Sequence, residues 1–212
     1  IAALSGKDEV VLACVDPAAE ARMKEEVEEA TRAGDTVNGV FEVVVHGVPA
    51  GLGTYANWDE RLDGLLAWAI MSLQAVKAVE IGRGVAAAAS FGSRVHDPIH
   101  YSAGSIPDKP TRFTRPHNNA GGIEGGVSNG EDIVVRGYLK PISTLRQPLE
   151  SVRFDTREST SASYERSDIC VVPAAGVAAE AMVALVIANL DHEKFGGDSL
   201  GEMKRNFEGY IE

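Results

Sequence analysis

Apolar positions along this chain fall in blocks whose period changes. Residues 8–15 (DEVVLACV) form a near-continuous apolar run, the pattern of a buried strand. Asp16 and Pro17 follow as an N-cap and a proline at the first helical position, and they predict a charged helix to about Ala33 that stops at Gly34. Residues 38–47 (NGVFEVVVHG) alternate in part and predict a second strand. Pro49 to Gly53 reads as a turn. Asn57 is a candidate N-cap, with Asp59 and Glu60 placed to favour the positive end of a helix dipole. From Trp58 to about Ile81 the apolar face is broad, and it predicts one long helix buried on more than one side.

Residues 85–91 read as a short strand. Residues 92–130 have no period, are rich in Gly, Pro, Ser, His and Arg, and are expected to form a long functional loop. Strands are expected at about 131–139, 150–156 and 166–172, the last ended by Pro173. Val177–Asn189 predicts a second apolar helix, and the tail from Ser199 a polar helix with an apolar stripe. Helices and strands that do not strictly alternate point to an α+β fold, taken here as a single domain over residues 1–212.

The chain has 212 residues, 44% of them hydrophobic, enough for a substantial core. Its 20 Lys+Arg against 31 Asp+Glu give a net charge of −11, the wrong sign for nucleic-acid binding. A local pocket can still be basic, so a small anionic ligand fits this charge. The two cysteines, Cys14 and Cys170, form no CxxC and lie in apolar runs. They are expected to be core residues, with no zinc site or disulfide framework and a reduced, cytoplasmic setting. No uninterrupted apolar run of about 18 residues is present, so no membrane span is expected. No signal-peptide pattern is present either. The first residue is Ile1, and the chain is read as part of something longer.

The densest chemical signal lies between His117 and Gly130, where five of fourteen residues are glycine. Glycine supplies positive φ and lets backbone N–H groups approach a ligand closely. Lys140, Ser143 and Thr144 follow downstream and add a cation and two hydroxyls, the parts needed to hold a phosphate. The order is not that of a P-loop. Gly51-Leu52-Gly53-Thr54-Tyr55-Ala56 matches a dinucleotide fingerprint in outline, but Pro49 interrupts its approach and it reads as a structural turn. Arg166-Ser167-Asp168 is either a solvated strand end or the mouth of a site in which Arg166 pairs with an anion. His96, His100 and His117 lack a carboxylate partner in a metal-binding pattern. Arg94, Arg112 and Arg115, in the same loop, suit a phosphorylated substrate.

Seven segments together resemble the C-terminal part of the chorismate synthase family, in its Gram-positive-like form. They are Gly34-Asp35-Thr36 with Gly39, Gly47–Gly53, Met71–Lys77 with Val79–Gly82, Asn118–Gly122 with Glu124–Gly126, Lys140–Thr144, Glu165–Asp168 and Val172–Ala175. The resemblance covers nearly the whole chain. It implies a sandwich of antiparallel sheets around long central apolar helices, assembled as a homotetramer. It implies conversion of 5-enolpyruvylshikimate 3-phosphate to chorismate and phosphate with reduced FMN, and NADPH as a candidate reductant. Carried over by motif, Gln74, Ala75, Gly125, Lys140, Pro141, Ile142, Ser143, Thr144 and Arg166 are FMN contacts. Asp168 is the carboxylate beside the flavin, and Arg94 and Arg112 are weaker candidates for the substrate's anionic groups. The family's Gly-Glu-Ser-His-Gly motif, both its catalytic histidines and an Arg/Ser flavin-binding run do not occur in these 212 residues. The competing readings are a non-catalytic flavin- or phosphate-binding module, an inactive fragment, or a purely structural domain.

Overall fold

The computed structural model describes residues 12–102 and 112–211. In chain order the elements are α1 (Pro17–Ala33), β1 (Val40–Val45), α2 (Leu62–Met71), β2 (Val76–Ile81) and α3 (Val85–Ala88). Four two-residue strands follow, β3 (His100–Tyr101), β4 (Phe113–Thr114), β5 (Ile123–Glu124) and β6 (Val127–Ser128). Then come β7 (Ile133–Leu139), β8 (Glu150–Val152), β9 (Ser159–Ser161), α4 (Val172–Phe195) and α5 (Leu200–Ile211). A three-stranded sheet has the order β1-β7-β2, and three small antiparallel pairs are β3-β4, β5-β6 and β8-β9. The fold is α+β. The chain divides into two compact units, Ile1–Phe41 with Tyr138–Val177 and Glu42–Gly137 with Ala178–Glu212.

In the first unit, α1 forms where its local signals put it. Asp16 Oδ1 accepts from the Ala18 N–H, Pro17 opens the helix, and Gly34 ends it at φ 71° with its N–H on the Ala30 and Thr31 carbonyls. None of its residues is fully buried, as its charge pattern requires. The strand expected at 8–15 falls partly outside the described residues. Its described end, Leu12 to Val15, joins no ladder, and Val15 is 62% exposed. Its Leu12 N–H donates to Glu20 Oε1 on α1 (3.4 Å) instead. The strand expected at 166–172 is also absent. One backbone bond from another segment engages that stretch, Val37 N–H to the Ile169 carbonyl (3.0 Å); the Val171 carbonyl already accepts from Ala175 N–H (2.9 Å) as the approach to α4, which begins at Val172. Pro173 opens this helix, since a first-turn proline forfeits no helical hydrogen bond. Cys14 and Cys170 are each half-buried rather than core residues, and no disulfide joins them.

The second unit holds the main core. Leu52, Leu62, Leu66, Ile70, Ile133, Val135 and Val183 are its fully buried large side chains. β7 alternates buried and half-buried positions, with Ile133 and Val135 inward and Arg136 outward. Arg136 is bound to Glu42 on β1 (2.6 Å) and to the Gly82 carbonyl after β2 (2.6 Å). Removing a buried leucine side chain such as that of Leu66 costs about 2–5 kcal/mol.

The single helix expected over 58–81 is corrected to a helix, a turn and a strand. α2 spans ten residues, begins after Arg61 rather than at Asn57, and ends at Met71. Ala75 sits at φ 68°, which reverses the chain, and Val76–Ile81 joins the sheet beside β7. A run that is apolar all round carries no period to separate a buried helix from a buried strand, and Val76, Val79 and Ile81 favour the strand. Residues 85–91, expected as a strand, instead form the one-turn α3, where Glu80 Oε1 accepts from the Val85 N–H. α4, 24 residues long with mean hydropathy 1.7 in its most apolar window, corrects the expectation that no segment could cross a membrane by length and composition. Only 11% of that window is buried, and Glu180 and Asp191 break the helix's apolar surface. In the second unit α5 lies against the end of α4 through Phe195–Phe207 and Phe195–Tyr210 edge contacts.

Candidate functional site

In the first unit, Lys140–Thr144 leaves the end of β7 as an irregular run, because Pro141 has no N–H to continue a ladder. The segment Thr36–Gly39 holds it. The Gly39 carbonyl accepts from the Leu139 N–H (2.9 Å), Asn38 Nδ2 donates to the Lys140 carbonyl (3.0 Å), and Thr36 Oγ1 donates to the Ile142 carbonyl (2.7 Å). Thr144 Oγ1 lies 2.8 Å from Ser167 Oγ, which ties the run to the segment that carries Arg166 and Asp168. Six of the expected site residues are thus brought into one neighbourhood with Asp168. Lys140, Pro141, Ser143, Arg166 and Asp168 are exposed there, while Ile142 and Thr144 are half-buried. Lys140 Nζ reaches only its neighbour's carbonyl at 3.4 Å, and among the described residues the charged groups of Arg166 and Asp168 carry no partner. Asn38 Oδ1 is buried without a hydrogen-bond partner. The neighbourhood therefore offers two cations, a carboxylate, hydroxyls and one buried acceptor.

In the second unit, Gln74 is exposed and Ala75 half-buried in the turn between α2 and β2. Gly125 lies at the exposed tip of the β5–β6 hairpin with φ 63°. Arg94 closes a one-turn 3-10 helix at Gly92–Arg94 and is exposed. Arg112 is exposed beside β3–β4, its Nη1 3.4 Å from the Tyr101 hydroxyl. Arg115 does not match the expectation of a substrate cation. It is nine-tenths buried, paired with Glu124 (2.6 Å) and bonded to the Asn129 carbonyl (3.2 Å). The long loop expected over 92–130 contains four short strands, and residues 103–111 of it lie outside the described residues.

The glycine-rich stretch does two different jobs. A Cβ on Gly121 would overlap the Gly82 backbone, one on Gly122 would lie 2.5 Å from the Asp132 carbonyl oxygen, and one on Gly126 would lie 2.9 Å from the Thr54 carbonyl oxygen. Those glycines let backbone segments pass each other and are structural. Only at Gly125, within the Gly121–Gly126 group, would a Cβ meet nothing within 4 Å. The fingerprint-like Gly51–Ala56 is a structural turn, because Ser128 Oγ donates to the Pro49 carbonyl (2.6 Å) and accepts from the Leu52 N–H (2.8 Å).

A separate cavity of about 280 Å³ in the second unit is lined by Val48, Ile187, Phe195 and Phe207 with Asp191. None of the expected site residues lines it. Burial against these apolar walls pushes the Asp191 carboxyl above the usual carboxylate range.

Thr36, Asn38 and Ser167 were not singled out as site residues from the sequence, although Thr36 and Ser167 lie inside recognised motifs. That place in the motifs is the signal for Thr36 and Ser167; Asn38 has none.

The family model described as "Chorismate synthase" matches residues 2–191. The chain is similar to a chorismate synthase of Acidobacterium capsulatum, 74% identical over the whole chain and 54% of that protein's length. It is 67% identical to a chorismate synthase of Koribacter versatilis, over 99% of this chain and 53% of that protein. A solved structure titled "Crystal Structure of Chorismate Synthase" superposes with a TM-score of 0.75 and 41% identity, over 93% of this chain and 49% of the other. The chain spans about half the length of the curated relatives it matches.

Proposed function

The chain belongs to the chorismate synthase family, and from that premise we propose that it carries the C-terminal share of a chorismate synthase active site. The whole enzyme, on this reading, is a cytoplasmic homotetramer of the shikimate pathway. It eliminates phosphate from 5-enolpyruvylshikimate 3-phosphate to give chorismate, using reduced FMN, with NADPH as a candidate reductant. The observation that best supports this is the Lys140–Thr144 run, clamped by Thr36 and Asn38 and tied through Thr144 and Ser167 to Arg166 and Asp168.

The residues present fit a flavin phosphate. Lys140 and Arg166 are exposed cations and Ser143 an exposed hydroxyl, which suit the phosphate, whereas Asn38 Oδ1 is a buried acceptor that only an N–H or O–H elsewhere on the flavin could satisfy. Lys140, Pro141, Ile142, Ser143, Thr144 and Arg166 would hold the group in the first unit. In the second unit Gln74, Ala75 and Gly125 are carried over as flavin contacts and Arg94 and Arg112 as contacts to substrate anions. When bound, reduced flavin supplies reversible electron donation. The chain's own residues offset anionic charge, orient two ligands and hold a carboxylate where a proton can be received. That carboxylate is Asp168, exposed and unpaired among the described residues.

The test is fluorescence quenching of FMN by the full-length enzyme, with and without the enolpyruvyl substrate, together with turnover of Asp168→Asn. Tight flavin binding with turnover lowered at least about 100-fold is expected, the usual scale for a lost proton-transfer group. Wild-type flavin affinity with undiminished turnover would remove Asp168 from the chemistry. A full-length protein that binds flavin but turns over no substrate would favour the non-catalytic module.

A further inference from the structure

Asn38 is half-buried, and its side chain is only half satisfied. Its Nδ2 donates to the Lys140 carbonyl at 3.0 Å, which fixes the amide's orientation, and its Oδ1 is then buried with no donor. A buried carbonyl without a donor costs about 1–3 kcal/mol, so such groups are usually reserved for something. Asn38 lies next to Lys140, and two residues earlier Thr36 makes the matching bond to the Ile142 carbonyl. The 36/38 and 140/142 spacing is that of alternate residues on two extended segments, with side chains supplying the rungs that Pro141 prevents the backbone from making. Resting on the flavin reading above, we propose that Asn38 is a ligand contact in the first unit, its Oδ1 accepting a hydrogen bond from an N–H or O–H of bound FMN, and that Thr36 is a positioning residue for the Lys140–Thr144 run.

FMN affinity, not stability, separates a ligand contact from a purely structural residue. Asn38→Ala removes both the Nδ2 bond to the Lys140 carbonyl and the unpaired Oδ1, two losses of opposite sign for the flavin-free fold, so its melting temperature changes little in either case. If Asn38 is structural, flavin affinity is left alone. If Oδ1 is reserved for the ligand, FMN binds about 3- to 10-fold more weakly, the scale of one neutral hydrogen bond. Asn38→Leu, close in shape, guards against a cavity artefact and is expected to behave the same way. Thr36→Val, which keeps shape and loses the hydroxyl, is expected to weaken FMN binding by a similar factor, and Thr36→Ser, which keeps the hydroxyl, to restore it. The measurements are FMN fluorescence quenching and thermal unfolding of full-length enzyme, each with and without FMN. Wild type that binds FMN while Asn38→Ala and Asn38→Leu bind it equally well would overturn this assignment alone. Wild type that does not bind FMN would overturn both it and the flavin reading.

Discussion

Gly121 and Gly125 provide a matched test of which glycines serve the backbone and which face open space. Their φ angles are 64° and 63°, so an alanine at either pays the same left-handed penalty of about 1–2 kcal/mol. Their surroundings differ. A Cβ on Gly121 would overlap the Gly82 N and Cα atoms and lie 3.1 Å from the Val134 carbonyl oxygen, whereas on Gly125 it would meet nothing within 4 Å. Gly82 has little freedom to yield. Its N–H is on the Val134 carbonyl (2.9 Å), its carbonyl accepts from Arg136 (2.6 Å), and the next N–H, of Arg83, is on the Asn119 carbonyl (2.8 Å). Moving Gly121 aside would instead strain the Val134 N–H bond to its carbonyl, 3.2 Å long. Losing that buried bond adds about 1–3 kcal/mol. Gly121→Ala is therefore expected to cost about 2–5 kcal/mol and Gly125→Ala about 1–2 kcal/mol. Equilibrium urea unfolding followed by tryptophan fluorescence measures both, since Trp58 and Trp68 lie in the same unit. Gly125→Ala should also weaken FMN binding in the full-length enzyme despite its smaller stability cost. Equal destabilisation of the two variants, within about 0.5 kcal/mol, would refute the packing account.

Three further outcomes follow from particular residues. Ala75 holds φ 68° between α2 and β2, so Ala75→Gly should stabilise the fold by about 1 kcal/mol, read as a higher urea midpoint. Burial raises the Asp191 carboxyl, so the folded state binds that proton more tightly than the unfolded chain. The resulting stability is present below the ordinary carboxylate range and is lost as pH rises through the raised value. Asp191→Asn should therefore melt higher than wild type at neutral pH, with the difference vanishing below about pH 4, and a gain that persists in acid would rule the account out. Asp168→Asn should keep FMN binding and lose turnover, as measured by chorismate formation in the full-length enzyme.

The parts of this chain legible in advance are those with local signals. Asp16, Pro17 and Gly34 mark the ends of α1 without reference to anything distant, and β1 and β7 show their alternation in their own residues. The boundary between α2 and β2 had no such marker, because the residue that turns the chain at positive φ is Ala75 rather than a glycine. The start of α4 is hidden because Ile169–Val172 reads equally as a strand and as the approach to a helix, and the Val171 carbonyl bond to the Ala175 N–H that decides it is a property of the fold.

At the candidate site, the amino-acid sequence by itself determined the family and the residue types: Lys140, Ser143, Thr144, Arg166 and Asp168 can be recognised by motif. Which side chains hold that run was decided only by tertiary structure. Asn38 and Lys140 are 102 positions apart, and Thr36 and Ile142 are 106, so no local pattern links them. The same holds for the glycines. A sequence shows five of them as equivalent, but whether each one admits a neighbouring backbone or faces open space depends on what packs against it, and that is a property of distant residues brought close.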